Sequence, residues 1–222
     1  MLFKALVRRL NGGTDTASIK VKSSYRRSSH LIYEKYPNLP SLLLELLCNE
    51  LPLATKSVNA SQHDGHSVTP AHKIFPAMEL LEILGLPNER GEMILEAVWQ
   101  YMESFDWAIR EKAAKALSHL LDSKDIINDA RKLLLPDWPA QNALHGRLLC
   151  LQHLVARDDI PLISYERLVP LINDRYNSMA VQNCCPITVA ALLNVLANIS
   201  VILVQNRSKA QHPYSQTCRL VT

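Results

Sequence analysis

Three groups of residues in this 222-residue chain are of types that could do chemistry. The first sits in "DWAIREKAAKALSHLL" (106–121), where Arg110 and Glu111 are adjacent, Lys112 and Lys115 follow, and His119 comes near the end. An Arg–Glu pair takes part in catalysis only when it points into a pocket. The second is His63-x-x-His66-x₅-His72, a spacing that a metal ion could use. It has no cysteine and no acidic neighbour beyond Asp64, whereas structural zinc prefers a well-ordered tetrahedral set. No metal is expected there. The third is the basic segment at the start of the chain. Lys20, Lys22, Arg26 and Arg27 surround Tyr25, and Arg8 and Arg9 close the preceding apolar run. Basic residues around an aromatic suit RNA, through phosphates and one stacked base. The same composition suits a solvated loop.

On a helical wheel, Ile109, Ala113, Ala116, Leu117, Leu120 and Leu121 form one stripe of 106–121, flanked by Ala114. Glu111, Lys112, Lys115, Ser118 and Asp122 fall on the other side. Glu111 and Lys115 stand in the favourable i, i+4 order, and Asp106 is placed to cap the helix. Small alanines on the apolar stripe allow a second helix to approach closely. Every charge in the stretch thus has a structural explanation.

The elements that would position these groups are helices. Leu and Ala dominate the apolar residues and only 6% of the chain is aromatic, which favours helix over strand. Apolar spacing predicts helices over 1–11, 38–51, 72–85, 88–104, 106–121, 124–135, 139–157, 161–176 and 183–204. Two polar stretches, 14–36 and 52–70, read as long loops, and 205–222 as a disordered tail. Pro76 and Pro170 either kink their helices or mark the true starts. The prediction is an all-α chain of about nine helices, forming one continuous domain over 1–204. Whether these helices make a bundle or a solenoid of stacked pairs is left open by periodicity alone.

His145-Gly146 lies inside an otherwise regular helical pattern. A glycine there costs up to about 1 kcal/mol relative to alanine. Close approach of a neighbouring helix, with His145 hydrogen-bonded across the contact, would offset that cost. A binding surface on a concave face is the alternative.

The formal charge is +3, but residues 1–36 carry eight basic and two acidic side chains, so the remainder sums to −3. A local basic patch on a near-neutral body suits a polyanion. The cysteines are Cys48, Cys150, Cys184, Cys185 and Cys218. Their odd number and their places in apolar helical patterns point to a reducing compartment without disulfides. "MLFKALVRRL" does not read as a secretory signal. The uncharged run 187–204 is near the lower length limit for a bilayer span. Asn194, Asn198 and Ser200 within it favour a buried or interfacial helix, so no membrane partner is expected. No phosphate-binding loop, nucleophile elbow or dinucleotide fingerprint is present. These observations predict a cytoplasmic protein without cofactor that is not an enzyme.

Trp107-x-Ile109-Arg110-Glu111-x-Ala113-Ala114-x-x-Leu117 resembles the second helix of a HEAT or armadillo repeat. Four segments together are similar to the thyroid-adenoma-associated protein family and its fungal relatives. They are "LFKALVRRLNG" (2–12), "YEKYPNLPSLLLELL" (33–47), "FPAMELLEIL" (75–84) with "WAIREKAAKAL" (107–117), and "NALHGRLLCLQHLV" (142–155). The most specific piece is Asn-x-Leu-His-Gly-x-Leu-Leu, which contains Asn142, His145 and Gly146. The fungal relatives are auxiliary subunits of a tRNA ribose 2′-O-methyltransferase. The resemblance implies a fragment of a longer α-solenoid that acts as a non-catalytic scaffold. It implies two partners, the catalytic subunit of the methyltransferase and tRNA, and a role in methylating the anticodon loop. Trp107, Arg110, Asn142, His145 and Gly146 would then be structural repeat residues. Arg8, Arg9, Lys20, Lys22, Arg26 and Arg27 are the candidate RNA contacts. The alternative is a HEAT-type protein-interaction module with no RNA role.

Overall fold

A computed structural model describes residues 30–55, 70–122, 125–134, 140–182 and 184–211, without the side chains of 52–55, 70–73 and 208–211. A short helical stretch covers 30–35. Eight helices follow: α1 (Leu39–Thr55), α2 (Pro70–Leu84), α3 (Gly91–Tyr101), α4 (Trp107–Leu120), α5 (Ile126–Leu134), α6 (Gln141–Val155), α7 (Leu162–Val181) and α8 (Pro186–Gln211). The described residues contain no strand. The chain is all-α, as its composition predicts.

Consecutive helices pair: α1 with α2, α3 with α4, α5 with α6 and α7 with α8. The pairs then stack in two layers. α2, α4, α6 and α8 lie in sequence against one another, while α1 packs on α3 and α5 on α7. This is the solenoid arrangement, in which each pair contacts chiefly its neighbours. The first helices of successive pairs start 52, 35 and 36 residues apart, at Leu39, Gly91, Ile126 and Leu162, and the second helices 37, 34 and 45 apart, at Pro70, Trp107, Gln141 and Pro186. Four of the six spacings, 34 to 37, are close to a 34-residue TPR unit; the other two are longer.

α4 and α6 are deeply enclosed in the stack. In α4, Ala113, Ala114, Ala116 and Leu117 are fully buried. α6 buries ten of its residues, since α4, α5 and α8 surround it. A helix enclosed this way shows little amphipathic pattern, because apolar residues are needed on most of its circumference.

Several boundaries differ from the sequence reading. Residues 30–35 are helical although 14–36 reads as loop, and α1 runs on through 52–55. α2 opens on Pro70, a favoured first helical residue, so Pro76 lies inside it. α3 starts only at Gly91, because Arg90 has φ 61°, outside the helical region. α8 continues through 205–211 to Gln211, where the sequence suggests a tail. Those seven residues include neither Gly nor Pro, and Pro213 follows them. In α1, Leu39, Leu42, Leu43, Leu46 and Leu47 repeat at helical spacing, which predicts one buried stripe, yet Leu42 is 56% exposed while Leu44 is buried. The predicted helix 1–11, loop residues 14–29 and 56–69, and the tail 212–222 lie outside the described residues.

α8 is long and apolar enough to cross a membrane by length and composition. In the fold it packs against α6 and α7 through Thr188, Leu192, Val195 and Ile199, while Ile187, Leu193, Val201 and Val204 remain exposed. Cys48, Cys150, Cys184 and Cys185 are free thiols.

Candidate functional site

The polar residues singled out by sequence meet where the α3–α4 turn abuts α6. α3 ends at Tyr101, and the chain turns through Ser104 and Phe105 before Asp106 caps α4. The Asp106 side chain accepts from the Ala108 amide at 2.8 Å, as its position predicts. One turn along, the Arg110 guanidinium folds back and is 8% exposed. It donates to the carbonyls of Ser104 (2.6 Å) and Phe105 (3.0 Å), and its Nε donates to His145 Nδ1 on α6 (3.4 Å). Burial lowers the Arg110 pKa, with Asp106 acting in the opposite direction. Burial and then the Arg110 charge hold His145 below its ordinary value of 6.5, opposed by Glu111. A neutral His145 with the proton on Nε2 is what the hydrogen bond requires, because Nδ1 must accept.

Gly146, the next residue, touches the same turn from α6. A Cβ placed there would lie 2.1 Å from the Met102 carbonyl oxygen and 2.9 Å from its carbonyl carbon. Only glycine lets the α6 backbone lie this close to the end of α3. The close-approach reading of His145-Gly146 therefore holds, and His145 hydrogen-bonds across the contact as expected. Asn142 is half-buried in the first turn of α6. Trp107 is 56% exposed at the start of α4.

The other α4 charges also reach neighbouring helices. Lys112 Nζ lies 3.0 Å from Glu82 and 3.3 Å from Glu79 of α2, and Lys115 Nζ lies 3.3 Å from Glu82. Glu111 Oε1 lies 2.7 Å from His153 Nε2 of α6. The expected Glu111–Lys115 pair is replaced by these contacts: Lys115 finds Glu82 on α2, and Glu111 finds the His153 imidazole on α6. Ser118, read as solvent-facing, is buried and donates to the Lys115 carbonyl at 2.7 Å.

A residue that sequence reasoning missed does the same for the next repeat. Arg157, just after α6, donates to the Ser118 (2.6 Å) and Leu121 (2.8 Å) carbonyls at the end of α4. Asp159 holds its other edge at 2.8 and 2.7 Å. Tyrosines add to the set. Tyr101 donates to the Leu47 carbonyl (2.6 Å) and Tyr33 to that of Gly85 (2.8 Å). Tyr165 donates to the carbonyls of Val155 (3.1 Å) and Arg157 (3.3 Å). The last carbonyls of a helix have no partner within it. Here long donors from elsewhere in the stack satisfy several of them. The only signal for Arg157 in the sequence is its place after an apolar helix, beside Asp158-Asp159.

Chemically, this arrangement positions helices. Arg110 donates to two carbonyls and to His145, and Arg157 donates to two carbonyls and to the Asp159 carboxylate. Two clefts, of about 440 and 370 Å³, are lined by other residues. Among the described residues no three His, Cys, Asp or Glu are grouped to hold a metal. His63 and His66 lie outside the described residues, as do Arg8, Arg9, Lys20, Lys22, Arg26 and Arg27.

A family model described as "Trm732, C-terminal TPR repeats" matches residues 1–154. The chain belongs to that family, which is that of the tRNA 2′-O-methyltransferase auxiliary subunit. The match includes α1 to α5 and nearly all of α6, hence the whole Arg110–His145–Gly146 junction. No solved structure matches the chain.

Proposed function

We propose that this chain is a non-catalytic scaffold supporting ribose 2′-O-methylation in the anticodon loop of tRNA. As a member of the auxiliary-subunit family, it would act in the cytoplasm and hold the catalytic methyltransferase, tRNA or both. Rigid positioning of two partners makes their reaction effectively intramolecular, which lowers the barrier without any catalytic group on the scaffold. The observation that carries this reading is the fate of the polar side chains of α4 and α6. Arg110, Glu111, Lys112, Lys115, His145 and His153 are spent on tying helices together. A stack stiffened in that way suits a platform.

The proposed RNA contacts are Arg8, Arg9, Lys20, Lys22, Arg26 and Arg27. The test has two arms. Cells lacking the gene should lose 2′-O-methylation in the anticodon loop; unchanged methylation ends the scaffold reading. The purified full-length protein should bind an anticodon stem-loop with affinity that falls as salt rises. Arg26→Glu with Arg27→Glu should flatten that slope by roughly 1 to 2 on a log–log plot. An unchanged affinity and slope would remove these two arginines from the RNA surface.

A further inference from the structure

The pair formed by α7 and α8 shows solvent two different surfaces. α7 mixes charge into its exposed residues, among them Glu166, Arg167 and Asp174. α8 carries no Asp, Glu, Lys or Arg from Pro186 to Asn206. One side of α8 is buried against α6 and α7 through Thr188, Ala191, Leu192, Val195 and Ile199. Its other side presents Ile187, Ala190, Asn194, Ala197, Val201 and Val204, all exposed and alternately three and four residues apart. That is the heptad spacing with which one helix seats along another. Leu193 flanks the stripe, and the large apolar residues Ile187, Leu193, Val201 and Val204 are between 46% and 65% exposed.

What covers such a face is apolar, uncharged and one helix wide. A further helix pair would have to cover α7 as well, with its exposed charges. A lipid surface would leave Asn194 in the middle of the face without a polar partner, and no basic residue before Arg207 is there to hold anionic headgroups. The face itself meets the description. Laid antiparallel, two copies set Ile187 against Val204, Ala190 against Val201 and Asn194 against Ala197. Each alanine then meets a larger side chain, and all six positions are used. A parallel pair would set each alanine against its own copy and leave gaps. Antiparallel helices also oppose their dipoles favourably. The four large residues expose roughly 400 Å² per copy, so with the alanines and Asn194 two copies would remove on the order of 1,000 Å² from water, the lower end for a specific interface.

We propose that the exposed face of α8 pairs with the same face of a second copy of this chain, antiparallel, about a two-fold axis. Asn194 near the centre fixes the register, as a single polar residue does in a helix pair. This is independent of any role in tRNA methylation, and it leaves the proposed RNA contacts untouched.

Sedimentation equilibrium of the full 222-residue chain tests it. The mass should rise from 25.0 kDa towards twice that value as concentration climbs through the micromolar range. Val201→Arg places a charge in the pairing face and should weaken association at least about tenfold. Ala190→Glu should do the same. Both positions are exposed, so the helical circular dichroism should not change. Combined in one chain, the two substitutions should bring association back to within about tenfold of the natural chain, because position 190 of each copy faces position 201 of the other. Within one chain the two positions are about 16 Å apart along the helix, too far to pair. Neutral phosphatidylcholine vesicles should not bind the natural chain. The proposal is overturned if the chain stays at 25.0 kDa at the highest concentration reached, or if Val201→Arg leaves association unchanged. It is equally overturned if the double variant associates no better than Val201→Arg, or if vesicles bind the natural chain and not Val201→Arg.

Discussion

Replacing Gly146 by alanine sets two terms of opposite sign against each other. On helix propensity alone the change stabilises a helix interior by up to about 1 kcal/mol. The added methyl, however, would lie 2.1 Å from the Met102 carbonyl oxygen, and the carbonyl carbon and Cβ of Met102 are each 2.9 Å away. Two of these three atoms are backbone, so no rotamer change relieves the overlap. Normal contact requires the end of α3 and the middle of α6 to part by roughly 1 Å, and overpacking of this kind costs about 1–3 kcal/mol or more. That opening also stretches the 3.4 Å bond from Arg110 Nε to His145 Nδ1. With the propensity gain subtracted, the net expectation is a loss of about 1–2 kcal/mol, or a fall in Tm of roughly 2–8 °C for a domain of this size. Gly91→Ala is the internal control. A Cβ there meets only the Leu86 Cβ, at an ordinary 3.5 Å, and should leave stability unchanged or slightly raised. Urea and thermal unfolding of both variants, followed by circular dichroism at 222 nm, compare them. A Gly146→Ala chain as stable as Gly91→Ala would refute the close-approach account of the junction.

Two further predictions concern the same stack. Because His145 titrates below 6.5 in the folded chain, its unfolded form takes up protons first as pH falls. Its contribution is therefore complete above 6.5 and is lost progressively below it, by at most about 1.4 kcal/mol per unit of lowering. Urea midpoints between pH 7.5 and 5 should fall more steeply for the natural chain than for His145→Gln; parallel profiles would show that His145 is not involved. Arg157→Met removes two bonds to the end of α4 and leaves the Ser118 and Leu121 carbonyls short of donors, at a cost of about 1–3 kcal/mol. Arg157→Lys should recover only part of it, since a lysine cannot reproduce the planar fork. Faster hydrogen exchange in the last turn of α4 is the accompanying signature.

Helix existence was legible because each run repeats leucines and alanines at helical spacing, and α1 to α8 all fall on predicted helices. The choice between bundle and solenoid was not, because it depends on which non-adjacent helices touch. No local pattern states that α2, α4, α6 and α8 form one layer. Enclosure also blurs the cue. α6 is buried around most of its circumference, so "NALHGRLLCLQHLV" carries apolar residues beyond a single stripe. Exposure of Leu42 is the opposite failure. Five leucines in "SLLLELL" permit more than one buried face, and only the neighbouring pair selects among them.

The charges of α4 were legible as structural but not in their pairing. A wheel treats the helix as isolated, where i, i+4 neighbours are the nearest partners and contribute only a few tenths of a kcal/mol. In a stack, Lys112 and Lys115 find Glu82 on α2 and Glu111 finds the His153 imidazole on α6, and part of each pair is shielded from water. Those contacts win because they replace solvation that the packed helices have already removed. Arg110 and Arg157 follow from the same constraint. Stacked pairs bring helix ends against other helices, where some terminal carbonyls are out of reach of water and need a donor long enough to arrive from the side. A long polar side chain beside a packing stripe is thus a mark of a stacked helical array. It resembles catalytic equipment only while the helix is considered alone.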